Sequence, residues 1–563
     1  MYKTDFNKLP NFNNLFLDYI SSDEQEHNKL KPFFNAFFRE NEDFFKVIDD
    51  KIHNYSTNRY FDKNILIDIL KRQNVVFGGD EYTAANLELM KDENTFAVVT
   101  GQQVGLYTGP LYTILKSITA IKLARNLKQR FPQFNFVPIF WLESDDHDIE
   151  EANHTYIINK QNDLVRIGFE QENSSEEESA KKNFAPVGNI NFSEMILSIN
   201  EQMRSNLIDT DFKEKIMSFV SKHYYEGNNY KTAFAGLMNE ILKGYGLIFI
   251  DCSDAEIKRL LIPVFEKELR SSPKLCEAII TQSAELEKMY DLQIKPKVIN
   301  LFFLHNNNRL LIEPRENNRF ALRNSKRRFE EDELYNLLNE SPELFSPNVV
   351  LRPICQDYLL PTAAYIGGPA EISYFAQLKP AYKHYDLTMP VIYPRLSVTI
   401  IENKISKFMN NYGLKLEDIF HHNFLVSKVA EKITEVNIDD EISKFTDEIN
   451  KIFYDLRNIT VKVDQTLLNT ADNIKEKTKQ SLEIFKNKLI NAQARKSEIT
   501  TVQIDKVTNN IYPKQILQER IINILYFLNK YDEQFIKKLF YETDENEFSH
   551  QVIEMHQDLN RTN

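Results

Sequence analysis

The segment FWLESDDHDIEEANH (140–154) closes an apolar run with a cluster of acids around one imidazole. Carboxylates beside a histidine at a strand terminus can orient an amine, coordinate a cation or move protons. Asp146, His147 and Asp148 are therefore the catalytic candidates, and Asp145 borders them as a binding candidate. Serine or aspartate followed by acids is also how a helix start is capped. Both readings hold together if Ser144 caps while Asp146 and His147 face a cleft. His154, seven residues on, would share the face of His147 if a helix intervened.

A second stretch, VVTGQQVGLYTGPLYTILK (98–116), gathers Gly101, Gly105 and Gly109, although the whole chain has only 14 glycines. Glycines after a strand permit close backbone approach, and a following helix start offers N–H groups to an anion. Gln102, Gln103 and Thr108 add neutral hydrogen-bonding groups, so Gly101, Gln102, Gln103, Thr108 and Gly109 are binding candidates. The pattern is neither GxGxxG nor a P-loop, because Pro110 follows the last glycine. It names no ligand, and a tight turn is the alternative.

The third stretch, LRPICQDYLLPTAAYIGGPAEISYF (351–375), repeats this logic with Gly367 and Gly368 after an apolar run and Glu371 in the next helical turn. Its Arg352 can pair with a carboxylate ligand or buttress an acid. Cys355 reads as a small buried hydrophobe rather than a reactive thiol. In YPRLS (393–397), Arg395 can meet a phosphate or carboxylate, or form a structural ion pair.

These stretches need a scaffold, and the chain supplies one. Five short apolar runs, at 96–100, 136–142, 247–251, 362–366 and 389–393, are bounded by turn residues, as strands buried on both faces are. Most precede a plausible helix, so the fold class is α/β with a parallel sheet. Leu111, Ile114, Ile118 and Ile121 give the first such helix its apolar stripe. Both glycine loops then face one shared cleft at the strand carboxyl ends.

The expected organisation is a helical lead-in (1–95), a first core part (96–159), an inserted region (160–243), a second core part (244–400) with a smaller insertion around 286–345, a helical arm (401–512) and a helical return segment (513–563). The acidic, serine-rich EQENSSEEES (170–179) reads as a mobile loop. VINLFFLHNNNRLLIEP reads as two strands joined by an Asn-rich turn. In the arm, Ile442, Phe445, Ile449, Ile452, Leu456, Ile459 and Val463 form a heptad seam that resumes at Leu482 after a stutter-like step. Such an arm can pair between subunits or fold back on itself.

Composition narrows the partners. A net charge of −13 argues against a broad nucleic-acid surface, which rests on clustered Lys and Arg. Cys252, Cys276 and Cys355 form no CxxC pair, so neither a disulfide framework nor a cysteine-based metal site is expected. No apolar run reaches membrane-spanning length and the start lacks a signal-peptide pattern, which points to the cytoplasm and to no membrane partner.

Taken together, TGQQVGLYTGPLYTILKSITAIKLA, PIFWLESDDHDIEEANH, the 351–378 stretch and YPRLS resemble, in order, the signature segments of the BshC family, to which the cysteine-adding step of bacillithiol biosynthesis is ascribed. With the heptad arm and tail, the resemblance covers nearly the full chain. It implies a Rossmann-like core related to class I aminoacyl-tRNA synthetases and mycothiol cysteine ligase, interrupted by connecting-peptide insertions, and a coiled-coil domain that makes a homodimer. The implied ligase joins the carboxyl of cysteine to the amine of glucosaminyl-malate, with ATP as the activating cofactor. The chain has no literal HIGH or KMSKS motif and no Cys/His zinc cluster. Transferred by position, Gly101, Gln102, Gln103, Thr108 and Gly109 line the pocket, Asp145 to Asp148 border it, and Gly367, Gly368 and Glu371 close the far wall. A nucleotidyltransferase-like enzyme with another amine acceptor and a noncatalytic coiled-coil scaffold are the competing readings.

Overall fold

The computed structural model describes residues 2–58, 61–169, 185–433, 437–495 and 498–555. The acidic stretch at 170–179 lies outside them. The chain forms two compact units, one built from 2–7, 11–398 and 519–551, the other from 8–10, 399–518 and 552–555.

The first unit is centred on five parallel strands, β1 (Thr95–Gln103), β2 (Asn135–Glu143), β3 (Ile248–Asp251), β4 (Thr362–Gly367) and β5 (Val391–Pro394). Their spatial order is β5-β4-β1-β2-β3, all neighbours parallel. This is the Rossmann order, with its topological switch between β1 and β4. Each of the five expected runs is one of these strands. They are almost wholly buried because helices cover both faces of such a sheet.

The sequence reading placed a loop from Gly101. Instead β1 continues to Gln103, paired residue by residue with β2 as far as Glu143. Gly101 serves close strand approach, since a Cβ there would lie 2.9 Å from the Trp141 carbonyl oxygen. Helix α1 (Tyr112–Arg130) follows and buries Ile114, Ile118 and Ile121 against the sheet, with Leu111 at its N-cap.

Between β1 and α1 the chain turns through left-handed conformations at Tyr107, Thr108 and Gly109, with φ of 51°, 71° and 68°. Two of these are not glycine, so the turn needs external support. Asn523, fully buried, provides it: its Nδ2 donates to the Tyr107 and Gly109 carbonyls at 2.8 and 2.7 Å. Asn523→Ala is expected to lower the stability of this unit by about 2 kcal/mol, read by urea unfolding, because two buried carbonyls lose a donor.

Two excursions leave the sheet. After β2 a short helix (Ile149–Ala152) gives way to an antiparallel strand pair, His154–Ile158 with Leu164–Gly168. His154 therefore opens a strand and does not share a helix face with His147, which corrects that expectation. The hairpin is followed by helices Met195–Asn206, Lys213–His223 and Tyr230–Ile241. The second excursion is a five-stranded antiparallel sheet that includes Leu301–His305 and Asn308–Arg315. Asn306 and Asn307 join those strands with φ of 50° and 60°, the geometry a two-residue hairpin turn requires. Helices α2 (Arg352–Leu359) and α3 (Pro369–His384) flank β4.

The second unit is helical. Its longest elements, α4 (Ile438–Val463) and α5 (Leu468–Arg495), are joined by a single tight turn at Gln465–Leu467 that Asp464 caps through the Thr466 N–H. The heptad seam thus does not run through a stutter. It folds back as an antiparallel hairpin tied by Arg457 to Asp472 and by Lys486 to Asp439. Among the described residues no helix is long and apolar enough to cross a membrane.

Candidate active site

The carboxyl end of β2 delivers Glu143 and then the loop 144–148. Packing fixes that loop from several sides. The Ser144 hydroxyl donates to the buried Asp251 carboxylate at the end of β3, and the Asp146 carbonyl accepts from the Val187 N–H at 2.7 Å. From β1, Gln103 donates its Nε2 to the Asp148 carbonyl at 2.7 Å. The glutamine and histidine segments are therefore neighbours above adjacent strands.

Capping is done by Asp148, whose carboxylate accepts from the Glu151 N–H at 3.2 Å; Ser144 instead faces Asp251. Asp148 is exposed and does not line the cavity described below.

Three ion pairs lock the strand ends together. Glu143 pairs with Arg352, which also donates to the Tyr374 hydroxyl at 2.9 Å. Asp145 pairs with the fully buried Lys258. Lys116 of α1 reaches Glu371 of α3 at 2.7 Å and also donates to the Gly101 carbonyl and to Gln102 Oε1 at 2.9 and 3.0 Å. Burial pushes the Glu371 carboxyl up, but Lys116, the Gly368 N–H and the Tyr365 hydroxyl more than offset it and hold it below its ordinary range. Burial raises Glu143 in spite of Arg352.

Between the ends of β2 and β3 and the antiparallel insertion lies a cavity of about 450 Å3. Its sheet-side wall carries Glu143, Asp145, Asp146, His147, Cys252 and Arg352. Phe302 and Arg309 stand on the insertion side, with the Arg309 guanidinium 4.0 Å from the Phe302 ring centre. Arg309 donates from Nη1 to His147 Nδ1 at 3.1 Å. Burial first and the Arg309 charge second keep the imidazole below its ordinary pKa. An arginine can only donate, so Nδ1 is the acceptor and the neutral ring carries its proton on Nε2. The Cys252 thiol donates to the Leu142 carbonyl at 3.2 Å and is pushed up to about 12 by burial, so it is no thiolate at neutral pH.

The N-terminal Rossmann-like domain of the bacillithiol-biosynthesis protein BshC matches residues 2–396, and its C-terminal coiled-coil domain matches 398–555. The chain belongs to the BshC family. Relatives provisionally named cysteine ligase BshC include one from Chloroherpeton thalassium, 35% identical over 94% of each chain. Another, from Salinibacter ruber, is 35% identical over 88% of this chain and 90% of its own. A third, from Bacillus cytotoxicus, is 29% identical over 96% and 97%. A solved structure titled as an arginyl-tRNA synthetase from Campylobacter jejuni aligns at 9% identity with a TM-score of 0.21, a likeness too slight to carry an argument.

The BshC signature segments supply the cavity unequally. Asp145, Asp146, His147 and Arg352 line it. Gln103 acts on it through the Asp148 carbonyl, and Gln102 sits against Lys116 and the Tyr112 hydroxyl. Gly101 lies within β1, while Thr108 and Gly109 belong to the turn braced by Asn523. Gly367 ends β4 and Gly368 is the N-cap of α3, its N–H already donating to Glu371 at 2.8 Å. The start of α1 is likewise covered, since the Leu111 N–H donates to the Ile522 carbonyl. Neither glycine loop is left as an open phosphate cradle. Arg395 is buried on Glu519 at 2.7 Å, the structural alternative weighed for it. Cys355 is fully buried and outside the cavity, its thiol raised by burial.

Sequence reasoning missed Glu143, Cys252 and Arg309. Arg309 carried a weak signal: a cation directly before the apolar run LLI in the hairpin strand Asn308–Arg315. Among the described residues no group of three or more His, Cys, Asp and Glu is placed to hold a metal.

Proposed function

We propose that this BshC-family chain is the ligase that joins the carboxyl of L-cysteine to the amine of glucosaminyl-malate, completing bacillithiol in the cytoplasm. What supports this most is family membership over almost the whole chain, combined with a cavity that carries carboxylates and cations on facing walls at the strand carboxyl ends. The new C–N bond requires the amine to lose a proton and the acyl carbon to lose an oxygen. A free carboxylate surrenders that oxygen only when activated, and ATP is the reagent this reading assigns. The filled glycine loops supply no phosphate geometry, so no step is built on the nucleotide here.

Asp146 is the group assigned to hold the amine and accept its proton. Asp145 and Glu143 are neutralised by Lys258 and Arg352, and His147 presents an N–H rather than a lone pair on Nε2. Purified protein given cysteine, glucosaminyl-malate and ATP should form bacillithiol, and Asp146→Asn should lower kcat in that assay. Absence of product across nucleotides and metals, with normal bacillithiol in a deletion strain, would overturn the proposal. Cysteine-dependent exchange of pyrophosphate into ATP without bacillithiol would favour another amine acceptor.

The helical unit is read as the homodimer interface. After folding back, the hairpin still leaves Phe445, Ile452, Leu456, Ile459 and Phe485 exposed, Ile452 by 56% and Ile459 by 57%. A seam of this length left in water calls for a second copy. Sedimentation should show a dimer for the native chain and a monomer for Ile452→Asp.

A further inference from the structure

The cavity is electrically two-sided: of the cations on its insertion side, Arg323 is paired with Glu313 at 2.7 Å, whereas Arg309, Lys295 and Lys297 have no ion-pair partner among the described residues. Arg309 is almost fully buried, yet its guanidinium meets only neutral partners: Ser346 Oγ at 2.9 Å, the Pro347 carbonyl at 2.6 Å and His147 Nδ1 at 3.1 Å. Those contacts use three of its five N–H groups. No carboxylate lies within ion-pair distance of it among the described residues. Lys295 and Lys297, on the stretch before the insertion's first strand, line the same cavity and also have no ion-pair partner among the described residues. Asp145 and Asp146 attract the Arg309 charge without contacting it, and Lys295 is exposed, so the desolvation cost of this wall falls on Arg309, and an anion arriving with the ligand would offset it. Opposite it, Asp146 accepts from the His147 and Asp148 backbone N–H groups, and its nearest cationisable neighbour is the His147 ring at 3.8 Å.

We propose that Arg309, Lys295 and Lys297 form the specificity subsite for a dicarboxylate, the malyl end of the amine substrate, whose ammonium end lies against Asp146. This assignment rests on the reaction proposed above. Two carboxylates suit three cations, and the planar fork of Arg309 matches one of them in a bidentate manner. A nucleotide triphosphate would satisfy the cationic wall but bring no positive group to the acidic one. The cavity volume is ample for an amino sugar carrying a small diacid.

The test is equilibrium binding to the full chain by calorimetry, with glucosaminyl-malate, L-malate, D-glucosamine and ATP as probes. Lys297→Gln, on the half-buried rim, and Arg309→Lys, which keeps the charge but loses the fork, should each weaken glucosaminyl-malate and L-malate by roughly tenfold or more. D-Glucosamine should bind both variants as it binds the native chain, and ATP should not displace L-malate. Unchanged affinity for glucosaminyl-malate in both variants would overturn the subsite, as would displacement of L-malate by ATP, which would make the wall a phosphate site. Malate binding that depends on Arg309 in a protein that forms no bacillithiol would leave the subsite standing and defeat the proposed reaction instead.

Discussion

Arg395→Met is expected to destabilise the sheet-bearing unit by about 3–5 kcal/mol, and Glu519→Leu by a similar amount, the range for breaking a buried ion pair from one side. Both side chains are nearly inaccessible, at 5% and 1% exposure, and lie 2.7 Å apart. Each single change strands the other charge. Removal of Glu519 further deprives the Ser397 hydroxyl and the Val398 N–H of their acceptor. The double variant Arg395→Met/Glu519→Leu should be more stable than either single one, because it leaves no buried charge. Urea titration followed by fluorescence of Trp141 is a clean readout: it is the sole tryptophan, and it is fully buried in β2 of the same unit. Single variants that melt like the native chain would refute the assignment of Arg395 as a structural residue.

Acidification supplies the second large effect. His550 is fully buried, with Nδ1 2.8 Å from the Ser397 hydroxyl and the edge of Phe6 across its ring. Burial lowers its pKa to about 4; Glu519 opposes that shift and Arg395 reinforces it. In the unfolded chain the ordinary value near 6.5 returns. Between those values the unfolded state binds the proton and the folded state does not. The contribution is therefore complete above pH 6.5 and is lost as pH falls toward 4, about 3 kcal/mol in all. His550→Gln should flatten that part of the stability profile, read by the same tryptophan signal. His147, His223 and His384 are shifted the same way by burial but are less enclosed, so a shallower slope remains. A native-like slope in the variant would show that His550 is not its source.

The sheet was legible because strands buried on both faces leave uninterrupted apolar runs, as FAVVT and LIFID do, whatever lies elsewhere in the chain. Asp145, Asp146 and His147 were legible for a related reason: the end of such a run marks the place where an α/β sheet opens to ligands. Arg395 was ambiguous because its partner lies 124 residues away, and nothing local distinguishes a cation awaiting a ligand from one already paired. Arg309 was passed over because a hairpin becomes a cavity wall only through its tertiary placement. The heptad pattern showed that the arm is coiled but not where it reverses. Asp464 before Thr466 was the available sign, a cap in the middle of what looked like one helix.

The brace that Asn523 gives the Tyr107–Gly109 turn spans more than four hundred positions of chain. During synthesis the glycine turn beside β1 leaves the ribosome long before its support exists. The Rossmann half must wait, incomplete, until the helical arm has been made and the return segment carrying Asn523 packs back. Truncation before Asn523 is thus a lesion of an early-made part of the enzyme, although the two lie far apart in the chain.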